Sequence, residues 1–106
     1  MLSPDSLTEL RTICEGANEM TEGGYTFVYL PALRIHAAQR TDALLCIQPR
    51  DGYMTRLYLS QQIQGRGNNW TTHRILDRTW FTWSWNNVSP DLRPAQILAE
   101  HLRALR

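Results

Sequence analysis

The side chains able to do chemistry are few in this sequence, and their spacing excludes more than it suggests. His36, His73 and His101, with Cys14 and Cys46, are the only imidazoles and thiols. None stands at the His-x-x-x-His or Cys-x-x-Cys spacing that lets two ligands share one ion. Cys14, Cys46 and His101 also fall on segments whose apolar pattern marks them as core, so no metal and no cofactor is expected. Acyl transfer from a serine would need a Gly-x-Ser-x-Gly elbow to lift the hydroxyl clear of its strand, and the chain has none. His73 and Asp77 could act as base and orienting acid if the chain brings them together, although such a pair is more often an ordinary surface contact. Only five acids follow residue 24, which leaves little for a glycosidase-type carboxylate pair.

The basic residues carry a second signal. All eleven are Arg, and Lys does not occur in the 106 residues, where average usage would place roughly six. Its absence removes a Walker-type phosphate loop, Schiff-base chemistry and any lysine nucleophile. Codon bias can produce such a composition unaided. The functional reading is avoidance of side-chain amines, since Arg keeps the charge without offering a usable nucleophile near neutral pH. Net charge is +1, unevenly placed: five acids against Arg11 leave −4 over residues 1–24, and ten Arg against five acids leave +5 over residues 25–106. A basic body suits an acidic partner or pairing with its own N-terminal segment. Arg66, Arg74 and Arg78 lie among Trp70, Trp80, Trp83 and Trp85, the residue types of single-strand nucleic-acid platforms. The near-neutral net charge and the lack of a basic helix argue against that partner, and Trp83 and Trp85 at a period of two also fit a packed strand.

These residues must be positioned by one domain spanning residues 1–106. Its 42% hydrophobic and 20% charged content is globular. Ser3-Pro4-Asp5 starts a helix whose stripe of Leu7, Leu10, Ile13, Cys14 and Ala17 stops at Gly16 or Asn18. Gly23-Gly24 precedes a strand from Tyr25 to Leu30, interrupted at Pro31 and resumed at Leu33 to Ile35. Ala43 to Ile47 reads as a buried strand. It is joined by the turn Pro49-Arg50-Asp51-Gly52 to a strand over Tyr53 to Ser60, making a hairpin. Residues 61–69 form a polar loop, Trp70 to Leu76 and Thr79 to Trp85 two further strands, and Asp77-Arg78 a tight turn. Pro94 opens a closing helix with Ile97, Leu98, His101, Leu102 and Leu105 on one face. The fold class expected is α+β: an antiparallel meander of four to five strands, helices packed on one face and the other left open. No apolar run is long enough to span a membrane, no leader precedes the cysteines, and a reduced cytoplasm is the expected location.

Two segments carry a resemblance. Arg40-Thr41-Asp42-Ala43-Leu44-Leu45-Cys46-Ile47-Gln48-Pro49, followed by Gly52-Tyr53, is the first. Trp80-Phe81-Thr82-Trp83-Ser84-Trp85, leading through Pro94 into the last helix, is the second. Together they resemble the bacterial prokaryotic E2 family E, whose members are similar in fold to ubiquitin-conjugating (E2) enzymes. That resemblance implies a ubiquitin-like protein, an E1-like enzyme or a JAB-type peptidase as partner. It also exposes a departure. The E2 thiol that accepts the acyl group lies after the meander, and no cysteine follows Cys46; the supporting His-Pro-Asn element is missing too. His73-Arg74-Ile75-Leu76-Asp77 stands in that region instead.

The reading preferred from sequence is a non-catalytic E2-like module that binds a ubiquitin-like or E1-like partner through Arg66, Trp70, His73, Arg74 and Trp80. The alternatives are an acyl carrier using an atypical nucleophile, with Cys46, His73 and Asp77 the catalytic candidates, and a nucleic-acid binder using the Arg/Trp cluster.

Overall fold

A computed structural model describes residues 3–35, 39–50, 52–63, 70–83, 88–89 and 91–104. The first helix, α1 (Pro4–Ile13), is capped by the Ser3 hydroxyl, which accepts from the Ser6 N–H at 3.1 Å. It ends earlier than the stripe suggested, because Cys14 turns extended while its N–H still closes on the Leu10 carbonyl. Gly16 then lies against β-strand residue Pro31, where an added Cβ would sit 2.7 Å from the proline Cγ.

Six strands follow: β1 (Asn18–Glu22), β2 (Tyr25–Arg34), β3 (Arg40–Cys46), β4 (Arg56–Leu59), β5 (Trp70–Ile75) and β6 (Arg78–Trp83). The closing helix α2 spans Pro94–Ala104, opened by the Gln96 side chain accepting from the Arg93 N–H at 3.2 Å. The class is α+β, as expected, but the strand count is six rather than four or five. The extra strand is β1. Its sequence Asn-Glu-Met-Thr-Glu has no apolar alternation because it is an edge strand and largely exposed. It turns into β2 through Gly23 and Gly24 at φ +58° and +83°, a two-residue loop that needs two left-handed residues.

The sheet order is β1-β2-β3-β4-β6-β5, antiparallel throughout. Only the first four strands therefore form a meander; the last hairpin enters with its second strand innermost. That hairpin turns at Leu76 and Asp77, both left-handed at φ +53° and +59°, one residue before the expected turn. In β2 the pairing register shifts between Leu30 and Leu33, with Ala32 at φ +51°. This bulge accounts for the Pro31 interruption. The extra residue restores parity, so that Leu30, Leu33 and Ile35 all face the helices.

The two faces of the sheet build separate cores. On one, α1 and α2 cover Val28, Leu30, Ala43, Leu45, Leu57, Leu59 and Trp83. On the other, Phe27, Leu44, Cys46, Tyr58, Ile75 and Trp80 pack together with Tyr25 and Tyr29. The second face is thus not left open. The sheet curls over it far enough that the Glu22 carboxylate of one edge strand accepts from the Leu76 N–H beyond the other. Among the described residues no helix is long and apolar enough to cross a membrane.

Candidate functional site

Strand parity decides which candidates can meet. Trp70 pairs with Trp83, His73 with Trp80 and Arg74 with Thr79 across the β5–β6 hairpin. Trp70 and Arg74 project from one face of the hairpin, His73 and Trp80 from the other. The four residues expected to share a contact surface are therefore split between two faces, and the fifth, Arg66, lies outside the described residues. Trp80 is interior at 1% exposure, its indole N–H donating to the Ile75 carbonyl at 3.0 Å. Trp70 is half-buried against the helix-side core, tilted on Trp83 at 5.6 Å between ring centres. What remains accessible is the edge strand itself, with Thr71, Thr72 and Arg74 exposed and His73 half-buried.

The catalytic candidates are not assembled into a site. Cys46 is fully buried in β3, its thiol directed at the Gln48 carbonyl at 3.4 Å. Cys14 backs a 510 Å³ cavity with Arg11 and Arg40, yet it is only 6% exposed. Its thiol donates to the Pro31 carbonyl at 3.1 Å. Burial pushes the Cys14 thiol above its ordinary pKa, which keeps it protonated and a poor nucleophile. The His73 Nε2 bonds the Thr71 hydroxyl at 3.0 Å and its ring stands edge-on to Tyr58, while Asp77 sits exposed in the turn beyond the strand. Among the described residues no group of three His, Cys, Asp or Glu could hold a metal ion.

The aromatic face has the organisation that the sequence reading missed. The register Tyr29–Leu44–Tyr58 and Phe27–Cys46–Arg56 lines the rings up across three strands. Three arginines lie over them. Arg50 stands over Tyr25, Phe27 and Tyr58 at 5.3, 5.9 and 5.6 Å from guanidinium to ring centre, and donates to the Tyr58 hydroxyl at 2.7 Å. Arg78 covers Trp80 at 4.6 Å and pairs with Asp42 at 3.1 Å. The Ala32 N–H, with Arg78 second, holds the Asp42 carboxyl below its ordinary pKa. Arg56 lies over Tyr53 at 3.9 Å. Where the face meets the two hairpin turns, Glu22, Tyr25, Phe27, Arg50, Arg74 and Ile75 enclose a 150 Å³ cleft. The alternation Tyr25, Phe27, Tyr29 was the available signal for this face; of the expected contact residues His73 and Trp80 project onto it, and Arg74 lines its cleft.

Behind the other face, His101 of α2 is buried at 1% exposure, with Nε2 bonded to the Thr55 hydroxyl at 3.0 Å and Nδ1 without a partner. Thr55 donates to the Val88 carbonyl, so it accepts from the imidazole, which fixes the Nε2–H tautomer. Burial first, and the Arg56 charge second, lower the His101 pKa from 6.5 to about 4.

Comparison with protein-family models, with curated proteins and with solved structures finds no match.

Proposed function

We propose that this chain is a non-catalytic binding module of the E2-like kind, which holds a ubiquitin-like protein or an E1-like enzyme without carrying the acyl group itself. The observation that carries the reading is the position of Cys46. It lies in the resembling segment, yet its sulfur is enclosed in the aromatic core and directed at a main-chain carbonyl. An acyl carrier needs a thiolate that a partner's C-terminus can reach. The order α1, four antiparallel strands in sequence order, and a last helix packed beside the first is in keeping with the same reading.

The contact surface proposed is the β5 edge and the cleft beside it. An edge strand offers main-chain N–H and C=O groups to a partner strand. Arg74 and His73 flank that edge, and the tryptophans act from behind it by fixing the strand rather than by touching the partner.

The test mixes the purified chain with the ubiquitin-like, E1-like and JAB-type proteins encoded beside its gene, with and without ATP. The expected outcome is a complex at tens of micromolar or tighter with the ubiquitin-like or E1-like protein, weakened by Arg74→Glu, and no reducible adduct. Absence of a complex with both overturns the binding reading. A reducible adduct lost in Cys46→Ser overturns the non-catalytic reading and establishes an acyl carrier.

A further inference from the structure

Arg56 is a buried charge without a carboxylate partner among the described residues. Its side chain is only 4% exposed. The Nε–H has no hydrogen-bond partner, and among the described residues no carboxylate pairs with the guanidinium. What it touches is aromatic: Tyr53 at 3.9 Å, and the Tyr58 ring more distantly at 6.0 Å. Stacking of this kind offsets only part of the cost of taking one ion out of water. A buried histidine escapes that cost by losing its proton, as His101 does. An arginine cannot, since its guanidinium stays charged at any ordinary pH.

A buried guanidinium whose Nε–H has nothing to donate to is half of an ion pair. We propose that Arg56 is the seat of a carboxylate carried by a small molecule, gripped side-on by the Nε–H and one terminal N–H, with the Tyr53 ring as the wall of the site. The Arg–carboxylate fork is planar and bidentate, which suits a site with a ring stacked on one side. Charge balance favours a monoanion: among the described residues no carboxylate offsets the Arg56 charge, while Arg50 is already engaged with Tyr58 and Arg78 with Asp42. The proposed approach is past the half-buried Tyr53, whose chain neighbours Gly52 and Met54 are exposed, the latter at 46%. That rim gives the ligand an apolar surface beside its anionic end. The site lies at the start of β4, separate from the β5 edge, and does not depend on the partner proposed above.

The test follows the Arg56 Nε–H by NMR in the intact chain while sodium acetate, sodium phosphate or sodium chloride is added at matched ionic strength. A saturable shift with acetate, absent with chloride and weaker with phosphate, is the expected result. A response to phosphate as strong as to acetate overturns the carboxylate assignment, and no saturable response to either overturns the site. A second measurement reads stability. Removing an unpaired buried charge should not harm the fold, so Arg56→Met is expected to unfold at an equal or higher urea concentration than the parent and to lose the stabilisation by acetate. Arg103→Gln, on the exposed face of α2, should keep it. A fall in the folded-to-unfolded ratio of tenfold or more in Arg56→Met would mean that the guanidinium serves the fold, and the proposal fails.

Discussion

The two faces of the sheet solve the same burial problem with different materials. The helix-side face is largely aliphatic and is covered by α1 and α2, so Leu meets Leu and little polarity is enclosed beyond Thr41, Thr55, His101 and the Trp83 indole N–H. Among the described residues no helix covers the opposite face. It is closed by aromatic rings, by the curl of the edge strands, and by Arg50 and Arg78 laid over the rings. A guanidinium can do this because it is flat, weakly hydrated and still presents donors at its rim. The helix side thus encloses an aliphatic core, whereas the aromatic side lays guanidinium charge over its rings, and the ligand site proposed above belongs to it.

If the aromatic side is a true second core, truncating its largest ring should cost as much as truncating a helix-side leucine. Trp80→Ala removes the edge-on contact with Tyr29, the cover of Arg78 and the bond to Ile75, and is expected to destabilise the chain by about 4 kcal/mol. Leu98→Ala, fully buried under the helices, should cost about 3 kcal/mol. Urea unfolding of both variants makes the comparison. A loss below about 1 kcal/mol for Trp80→Ala would show that the aromatic side is surface rather than core.

The faces should also fail at opposite ends of the pH scale. His101 is held neutral on the helix side, with its pKa depressed from 6.5 to about 4. Between those values the unfolded chain takes up a proton that the folded chain refuses, so stability is full above pH 6.5 and falls as the pH drops towards 4. At about 1.4 kcal/mol per pH unit the loss is about 3 kcal/mol. His101→Gln, which can still donate to Thr55, should flatten that part of the profile. Asp42, whose pKa is depressed below 3.8, weakens the fold only at still lower pH. On the aromatic side burial raises the Tyr58 pKa above 10. Its contribution is present below pH 10 and is lost as the pH rises through the raised value, a dependence that Tyr58→Phe should remove. Denaturation midpoints across the pH range check both arms.

Local chemistry was legible in the sequence, and pairing was not. Ser3, Pro4 and Pro94 announced the helix starts, and Pro31 announced the break that the structure resolves as a bulge. Strand β1 left no mark because an edge strand of polar residues has no face to pattern. The inversion of β5 and β6 depends on Leu59 meeting Phe81, a contact between distant segments that no local spacing encodes. For the site, a period of two already separates His73 from Trp70 and Arg74, but only the register places Trp80 beside His73 and assigns each set to a face. Arg50 was readable only as a turn residue. Its place over three rings follows from the Arg50–Tyr53 bridge that closes the turn.

The β2 bulge sets which face Leu33 and Ile35 take, and it can be pushed from outside. Gly16 abuts Pro31, and a methyl group there would meet the proline ring at 2.7 Å. Gly16→Ala should therefore displace the bulge and unsettle Leu33 and Ile35 on the helix side, at a cost of about 2 kcal/mol. Phe27 and Tyr58 should keep their packing. Methyl and aromatic NMR shifts distinguish the faces: equal disturbance on both would mean that the bulge does not act on the helix side alone.

The smallest effect concerns why every basic residue is Arg. If the aromatic side depends on flat guanidinium covers, Arg50→Lys loses ring contact at Tyr25, Phe27 and Tyr58 and the geometry of the bond to the Tyr58 hydroxyl. The expected cost is about 1 kcal/mol. Much of it should vanish when Tyr58→Phe is already present, since the two residues act through one contact. Arg103→Lys, whose Glu100 partner lies on the same exposed face of α2, should change stability by less than about 0.5 kcal/mol. The contrast between the two substitutions matters more than either value. A clear difference gives the missing lysines a structural reason on one face of the sheet and none on the helices. Equal, negligible effects would leave codon usage as the sufficient explanation, and would reduce the guanidinium covers to bystanders of a face held together by its rings.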